Sequence, residues 1–129
     1  MGQGFLMDTN AVIDYCGGKL PAAAMQKMHQ ITDDGFNISA VVKIEVLGFD
    51  GPPADMQKLE GLLSLADLLY IDDDVIQKTI TIRKTKKMKL GDAIIAATAI
   101  ICGLTLISRN ISDFRSIDGL TVIDPHTLA

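Results

Sequence analysis

The chain has 129 residues, 48% of them hydrophobic and 5% aromatic with no tryptophan, and a formal net charge of −4. That length suits a single domain spanning residues 1–129, and that apolar content can bury a core, which excludes an intrinsically disordered chain. The acidic balance and scarcity of aromatic rings exclude a nucleic-acid coat protein built on a broad basic surface or a base-stacking platform, but leave room for an enzyme that meets nucleic acid through a local basic strip. Cys16 and Cys102 stand in apolar helical contexts without metal-ligand spacing and read as buried, reduced thiols. With no basic-then-apolar leader and no apolar run near the ~20 residues that span a bilayer, the expectation is a cytoplasmic protein without a membrane partner.

In chain order, the apolar run Phe5-Leu6-Met7 ends abruptly in Asp8-Thr9-Asn10. Residues 4–8 read as a buried strand that delivers Asp8 to its carboxyl end, and residues 10–17 as a short helix stopped by Gly17-Gly18. Pro21 opens a second helix to about residue 31, with Met25, Met28 and Ile31 on one face. Residues 36–39 are the second strand, and Ser39 is placed to cap a helix to about residue 49 that carries Glu45. Gly51-Pro52-Pro53 breaks the chain before a helix over 54–66, in which Met56, Leu59, Leu62 and Leu63 face inward. A third strand over 68–71 is followed by Asp72-Asp73-Asp74 and a helix over 75–87. Gly91-Asp92 begins an Ala- and Ile-rich helix that ends at Gly103, residues 104–107 form the fourth strand, residues 108–117 a loop with one helical turn, and residues 120–123 the fifth strand. Strands alternating with helices predict a three-layer α/β/α domain, a parallel sheet of about five strands covered on both faces.

Chain direction in such a sheet gathers the acids. A crossover helix runs antiparallel to the strand it feeds, and 1.5 Å per residue makes the helix from Gly91 about 18 Å long, so Asp92 at its start lies near the carboxyl edge of the sheet. Glu45, in the second turn after strand two, and Asn110 and Asp113, just after strand four, lie at the same edge as Asp8. Four carboxylates from four segments converge on one rim. Like charges ~4 Å apart repel by about 1 kcal/mol in water and about 4 kcal/mol at an effective dielectric near 20, so such a cluster needs protons or a counter-cation. All four are hard oxygen donors and neither His29 nor His126 falls among them, which favours Mg2+ or Mn2+ over zinc and suits attack of water on a phosphodiester.

These stretches resemble the PIN domain, the metal-dependent ribonuclease fold of VapC-type toxins. The resemblance rests on Leu6-Met7-Asp8-Thr9-Asn10, on Ser39 through Glu45-Val46-Leu47, on Gly91-Asp92 through Ala99, and on Leu106-Ile107-Ser108-Arg109-Asn110-Ile111-Ser112-Asp113-Phe114, in the family's order and over nearly the whole chain. It implies strand order 3-2-1-4-5 and an acidic quartet of Asp8, Glu45, Asp92 and Asp113. Asp8, Asp92 and Asp113 would hold the metal, Glu45 would act through water, and Asn10 and Asn110 would support the acids. It also implies an RNA substrate, a small cognate antitoxin and a homodimer, for which Val41, Val42, Val46, Phe49, Leu62 and Leu65 offer more apolar helical surface than a small sheet needs. Three positions depart from the family pattern: Gly91 stands where Pro is common, Ser108 where Thr is commoner, and Asn110 where an acid is frequent.

Plainer readings stand beside these. Asp92 can serve its helix dipole, Asn10 can cap a helix, Asp113 can belong to a turn, and Asp72-Asp73-Asp74 reads as a helix N-terminus rather than a metal cluster. The one basic run, Arg83-Lys84-Thr85-Lys86-Lys87-Met88-Lys89, suits a solvated helix end, but its closeness to Asp92 makes Lys86, Lys87 and Lys89 candidates for phosphate contact, with Arg109 a fourth. Two other functional classes compete with the nuclease. A phosphohydrolase with an aspartyl nucleophile would want a second Asp at position 10, where Asn stands, and a non-catalytic PIN-like binding module would be signalled by loss of a quartet acid, and none is lost.

Overall fold

Among the described residues no strand is longer than three residues, so the sheet is defined by parallel pairing and by what packs on it. The structure, a computed structural model, describes residues 4–128; residues 1–3 and 129 of the expected single domain lie outside the described residues. The elements are β1 (Phe5–Met7), α1 (Thr9–Cys16), α2 (Ala22–Asp34), β2 (Asn37–Ser39), α3 (Ala40–Leu47), α4 (Pro53–Leu63), β3 (Asp67–Leu69), α5 (Asp73–Thr85), α6 (Leu90–Cys102), β4 (Thr105–Ile107), α7 (Ile111–Phe114), β5 (Val122–Ile123) and a 3-10 turn at Pro125–Thr127. The sheet order is β3-β2-β1-β4-β5, parallel at every pairing, as expected.

Because β1 pairs with both β2 and β4, the chain departs from the centre of the sheet in two directions. Right-handed crossovers then put α1 to α4 on one face and α5 to α7 on the other. Packing among α1, α3 and α4, and between α5 and α6, agrees. Ligand sites in open α/β sheets form at the carboxyl ends of the strands flanking such a reversal, here β1 and β4. The ladder runs one residue past both strands. The Asp8 amide donates to the Ile107 carbonyl and the Ser108 amide to the Ile123 carbonyl, each at 2.9 Å. Asp8 and Ser108 are therefore fixed by sheet hydrogen bonds, not by a mobile loop.

The core explains why the central elements hold. Leu6, Met7, Leu106 and Ile107 are fully buried on the two central strands, with Phe36, Ile38, Met28 and Phe114 packed around them. α6 buries Ala93, Ile95, Ala96, Ala97, Thr98 and Ala99, an almost wholly apolar helix suited to burial on more than one side. Its buried Thr98 hydroxyl is satisfied by donating to the Ile94 carbonyl at 2.7 Å. Asp72 caps α5 by accepting from the Val75 amide at 2.9 Å, with Asp73 and Asp74 in the first turn, so the acidic triplet serves a helix N-terminus as expected.

Several expectations need correction. The third strand lies at Asp67–Leu69, earlier than residues 68–71, because its partner ends at Ser39, where the chain turns into α3; Tyr70 and Ile71 are left exposed. The apolar surplus on α3 and α4 is smaller than the pattern suggested. Val42 and Val46 are fully buried, Val41 and Leu62 partly so, and the exposed large apolar side chains here are Ile44, Phe49 and Leu65. Cys16 and Cys102 are free but only half-buried, each being the last residue of its helix. Among the described residues no helix is long and apolar enough to cross a membrane.

Two glycines separate backbone strain from packing. Gly103 closes α6 in the left-handed conformation, with φ 66°, and a Cβ there would meet nothing within 4 Å. Gly103→Ala should therefore cost only conformational strain, about 1 kcal/mol in urea unfolding. Gly61, inside α4 and equally unobstructed, should give the opposite sign, with Gly61→Ala stabilising by about 0.5–1 kcal/mol.

Candidate active site

Asp8 is only 5% exposed, an unusual position for a carboxylate. It ends the central strand and opens α1, and both of its oxygens are held. Oδ1 accepts from the Thr9 amide at 2.8 Å, and Oδ2 accepts from the Ser108 hydroxyl at 2.8 Å and from Asn10 Nδ2 at 3.4 Å. Burial pushes its pKa up, the bonds from Ser108 and Thr9 pull it down, and the nearby charges of Asp92 and Glu45 push it up again, for a net upward shift. All of its donors are neutral.

Asp92 stands half-buried in the first turn of α6. Its pKa is also raised, first by burial and then by Glu45 and Asp113, with Lys89 acting against them. Glu45 is exposed on α3, and its Oε1 accepts from the Thr9 hydroxyl at 2.6 Å. Its other oxygen lies 3.6 Å from where a Cβ on Gly91 would stand, so Gly91 borders the site directly. The apolar neighbours of Glu45 in sequence do not enclose it: Ile44 is itself exposed, and Val46 turns into the core. Asp113, exposed on α7, accepts from Asn110 Nδ2 at 2.7 Å.

Asp8 thus lies close enough to feel the charges of Asp92 and Glu45, and Asp92 those of Glu45 and Asp113. Among the described residues, however, no three Asp, Glu, His or Cys side chains are drawn together into a ready cation cage. Uncompensated like charges favour such spacing, and Asp113 and Glu45 are each tethered to a neutral neighbour. The donor set, four hard carboxylates, fits a hard divalent cation in chemistry, although the cage is not preassembled.

The supporting residues form one network. Asn10 donates to Asp8 and Ser108 and accepts the Arg109 amide at 2.9 Å, while the Ser108 hydroxyl accepts the Asn110 amide at 3.1 Å. The Arg109 guanidinium turns to Asp14, Nη1 lying 3.1 Å from Oδ2, with 58% of the side chain exposed. Lys86, Lys87 and Lys89 line a cleft of about 400 Å³ together with Asp92, Asn110, Ser112 and Asp113. Sequence reasoning missed Thr9, Ser108, Asp14 and His126. Ser108 was findable: once strands one and four are neighbours, positions 8 and 108 sit side by side. Ser in place of Thr at 108 keeps the hydroxyl that matters. His126, expected to lie apart from the four acids, lies 2.8 Å from Asp14, an approach no local pattern announces.

The chain matches the family model of the PIN domain over residues 5–120. No curated protein matches it by sequence. Among solved structures it is similar to a toxin–antitoxin complex from Klebsiella pneumoniae, at 31% identity and TM-score 0.75 over 93% of this chain and 96% of that one. It is also similar to DNA-bound VapBC from Salmonella typhimurium, at 26% identity and TM-score 0.77 over 94% and 97%. VapBC2 from Rickettsia felis, bound to a DNA fragment from its promoter, shares the fold at 19% identity and TM-score 0.79 over 93% and 97%.

The raised pKa values give a stability signature. A carboxyl raised in the folded state contributes stability below its ordinary value near 4 and loses it as pH rises through the folded value. Asp92→Asn should therefore leave thermal stability in EDTA unchanged near pH 4 and raise Tm by about a few degrees at pH 7, the gap between variant and parent widening with pH.

Proposed function

The chain belongs to the PIN-domain family, and from that premise we propose that it is a Mg2+-dependent endoribonuclease, the toxin of a VapBC-type toxin–antitoxin pair acting in the cytoplasm. The observation that carries this reading is the convergence of Asp8, Glu45, Asp92 and Asp113, from four segments, on one rim beside a lysine-lined cleft. Asp8, Asp92 and Asp113 would hold the metal, which when bound supplies a water of lowered pKa and a counter-charge for the phosphate; Mn2+ would serve as well. Ser108, Thr9 and Asn10 hold Asp8 in place, and Asn110 holds Asp113. Glu45, held from Thr9 and open to solvent, orients the attacking water. Lys86, Lys87 and Lys89 touch backbone phosphates and offset the repulsion between an acidic site and a polyanion. Cleavage by activated water leaves a 3′-hydroxyl and a 5′-phosphate.

The similar solved structures support an antitoxin partner, since the Klebsiella and Salmonella proteins are seen as toxin–antitoxin and VapBC complexes. A cleft of about 460 Å³ lined by Ile13, Cys16, Val46, Phe49 and Leu59 offers apolar surface for it. Homodimerisation would use the exposed Ile44, Phe49 and Leu65, and sedimentation at micromolar concentration should then show a dimer. The competing reading, a PIN-like module that binds without cutting, draws on the absence of a preassembled cage among the described residues.

Incubation with a pool of structured RNAs decides between them. Cleavage is expected with Mg2+ or Mn2+ and not with EDTA, and Asp8→Asn, Asp92→Asn and Asp113→Asn should each lower it at least ~100-fold. A folded protein that binds RNA and never cuts it would establish the binding module instead. Alanine at Lys86, Lys87 and Lys89 should weaken RNA binding across sequences and flatten the dependence of log affinity on log salt by about 0.7 for each phosphate no longer neutralised.

A further inference from the structure

Asp8 and Asp14 are the two buried carboxylates among the described residues, and the site described above uses only the first. Asp14 lies on α1, six positions beyond Asp8, with its side chain 3% exposed. Burying a charge this deeply is costly unless it is paired. Two cationic or potentially cationic partners reach it from distant segments. Arg109 Nη1 donates to Oδ1 at 3.3 Å and to Oδ2 at 3.1 Å, and His126 Nε2 lies 2.8 Å from Oδ2.

Arg109 lies in the short loop that joins β4 to α7, the helix that bears the last acid. The residue before it, Ser108, holds Asp8, and the residue after it, Asn110, holds Asp113. Its backbone amide is fixed on Asn10 Oδ1 and its side chain on Asp14, so the loop is pinned to α1 at two points. His126 belongs to the 3-10 turn after β5, where Asp124 accepts its amide at 2.9 Å, and it ties that turn to the same carboxylate. A residue committed to a buried acid in this way is poorly placed as a free phosphate ligand, although more than half of the Arg109 side chain meets solvent.

We propose that Asp14 is a positioning residue for the acidic rim: by anchoring Arg109, with His126 locked onto the same carboxylate, it sets the loop that presents Asn110 and Asp113. The effect on cleavage rests on the nuclease reading; the effect on the loop does not. Both are tested with Asp14→Asn, which keeps shape and removes charge, and with Arg109→Gln and Arg109→Lys.

Amide hydrogen exchange is measured in EDTA, and Mn2+ titration and single-turnover RNA cleavage follow on the same proteins. In Asp14→Asn and Arg109→Gln, protection at the Arg109 and Asn110 amides should fall at least ~10-fold while the amides of β1 and α6 keep theirs. The Mn2+ dissociation constant should rise about 10–100-fold, and the cleavage rate at saturating RNA should fall with little change in KM. Arg109→Lys should recover part of each, because an ammonium supplies the charge without the fork. Unchanged protection at Arg109 and Asn110 overturns the proposal. So does an even loss of protection across the whole protein, which would make the pair a general structural brace, and so does a rise in KM alone, which would make Arg109 a substrate-binding residue. Should Asp14→Asn not fold, Arg109→Gln, altered at an exposed side chain, carries the same comparison. A parent protein that neither binds Mn2+ nor cuts RNA would refute the nuclease reading, and the exchange measurement would still decide the positioning role.

Discussion

The structure depends on keeping a charged Asp8 at the end of its central strand. Removing a carboxylate from water disfavours its ionised form, and here Asp92 and Glu45 add repulsion. Against this stand hydrogen bonds from Ser108, from the Thr9 amide and, more weakly, from Asn10, each bond to a charged group contributing about 1.5–3 kcal/mol at best. Thr9 and Asn10 are local to Asp8, but the Ser108 hydroxyl reaches it only because β1 and β4 are adjacent and in register, Met7 opposite Ile107. Sheet order is therefore a condition of the site: a strand slipped by one residue would turn Ser108 away and leave Asp8 buried without its best partner.

Short strands can carry such a demand because α3 and α6, which bear two of the acids, are strongly apolar. α6 places its first turn, with Asp92, at the rim, while its middle is buried against the sheet. α3 and α6 meet closely at Gly91, where a Cβ would already touch Val41 and Glu45 at 3.4 and 3.6 Å, so two acids on different helices share the rim. The packing that fixes the helices also fixes the acids, at a cost in repulsion that the fold alone does not relieve.

Much of this was legible in the sequence, and the reasons are physical. The parallel, helix-covered sheet and the common rim follow from the alternation of strands and helices and from chain direction, both of which leave strong periodic signals, whereas the strand order came only with the resemblance to the PIN domain. Helix starts at Ser39 and Asp72 were readable because capping is local chemistry. The third strand was misplaced because its limits are set by a partner that ends at Ser39, which its own apolar run cannot report. Val42 and Val46 were read as surplus surface because amphipathic spacing does not say how much a neighbouring helix will cover. Asp14, Arg109 and His126 were not legible as a unit, since they meet across separations of 95 and 112 residues with no motif between them.

The two buried acids differ in the partners the fold brings them. Asp8 and Asp14 lie on one short stretch of chain, both out of water. The protein brings a guanidinium and an imidazole to Asp14, and to Asp8 only an amide, a hydroxyl and a carboxamide. A fold that could pair one acid internally has left the other with neutral donors and the nearby charges of Asp92 and Glu45. Lys89, the cation whose charge acts on Asp92, lies in the cleft rather than on Asp8. A charge maintained in this way is a standing attraction for a cation from outside, which is what the proposed chemistry requires, whereas the charge of Asp14 goes into holding the chain together.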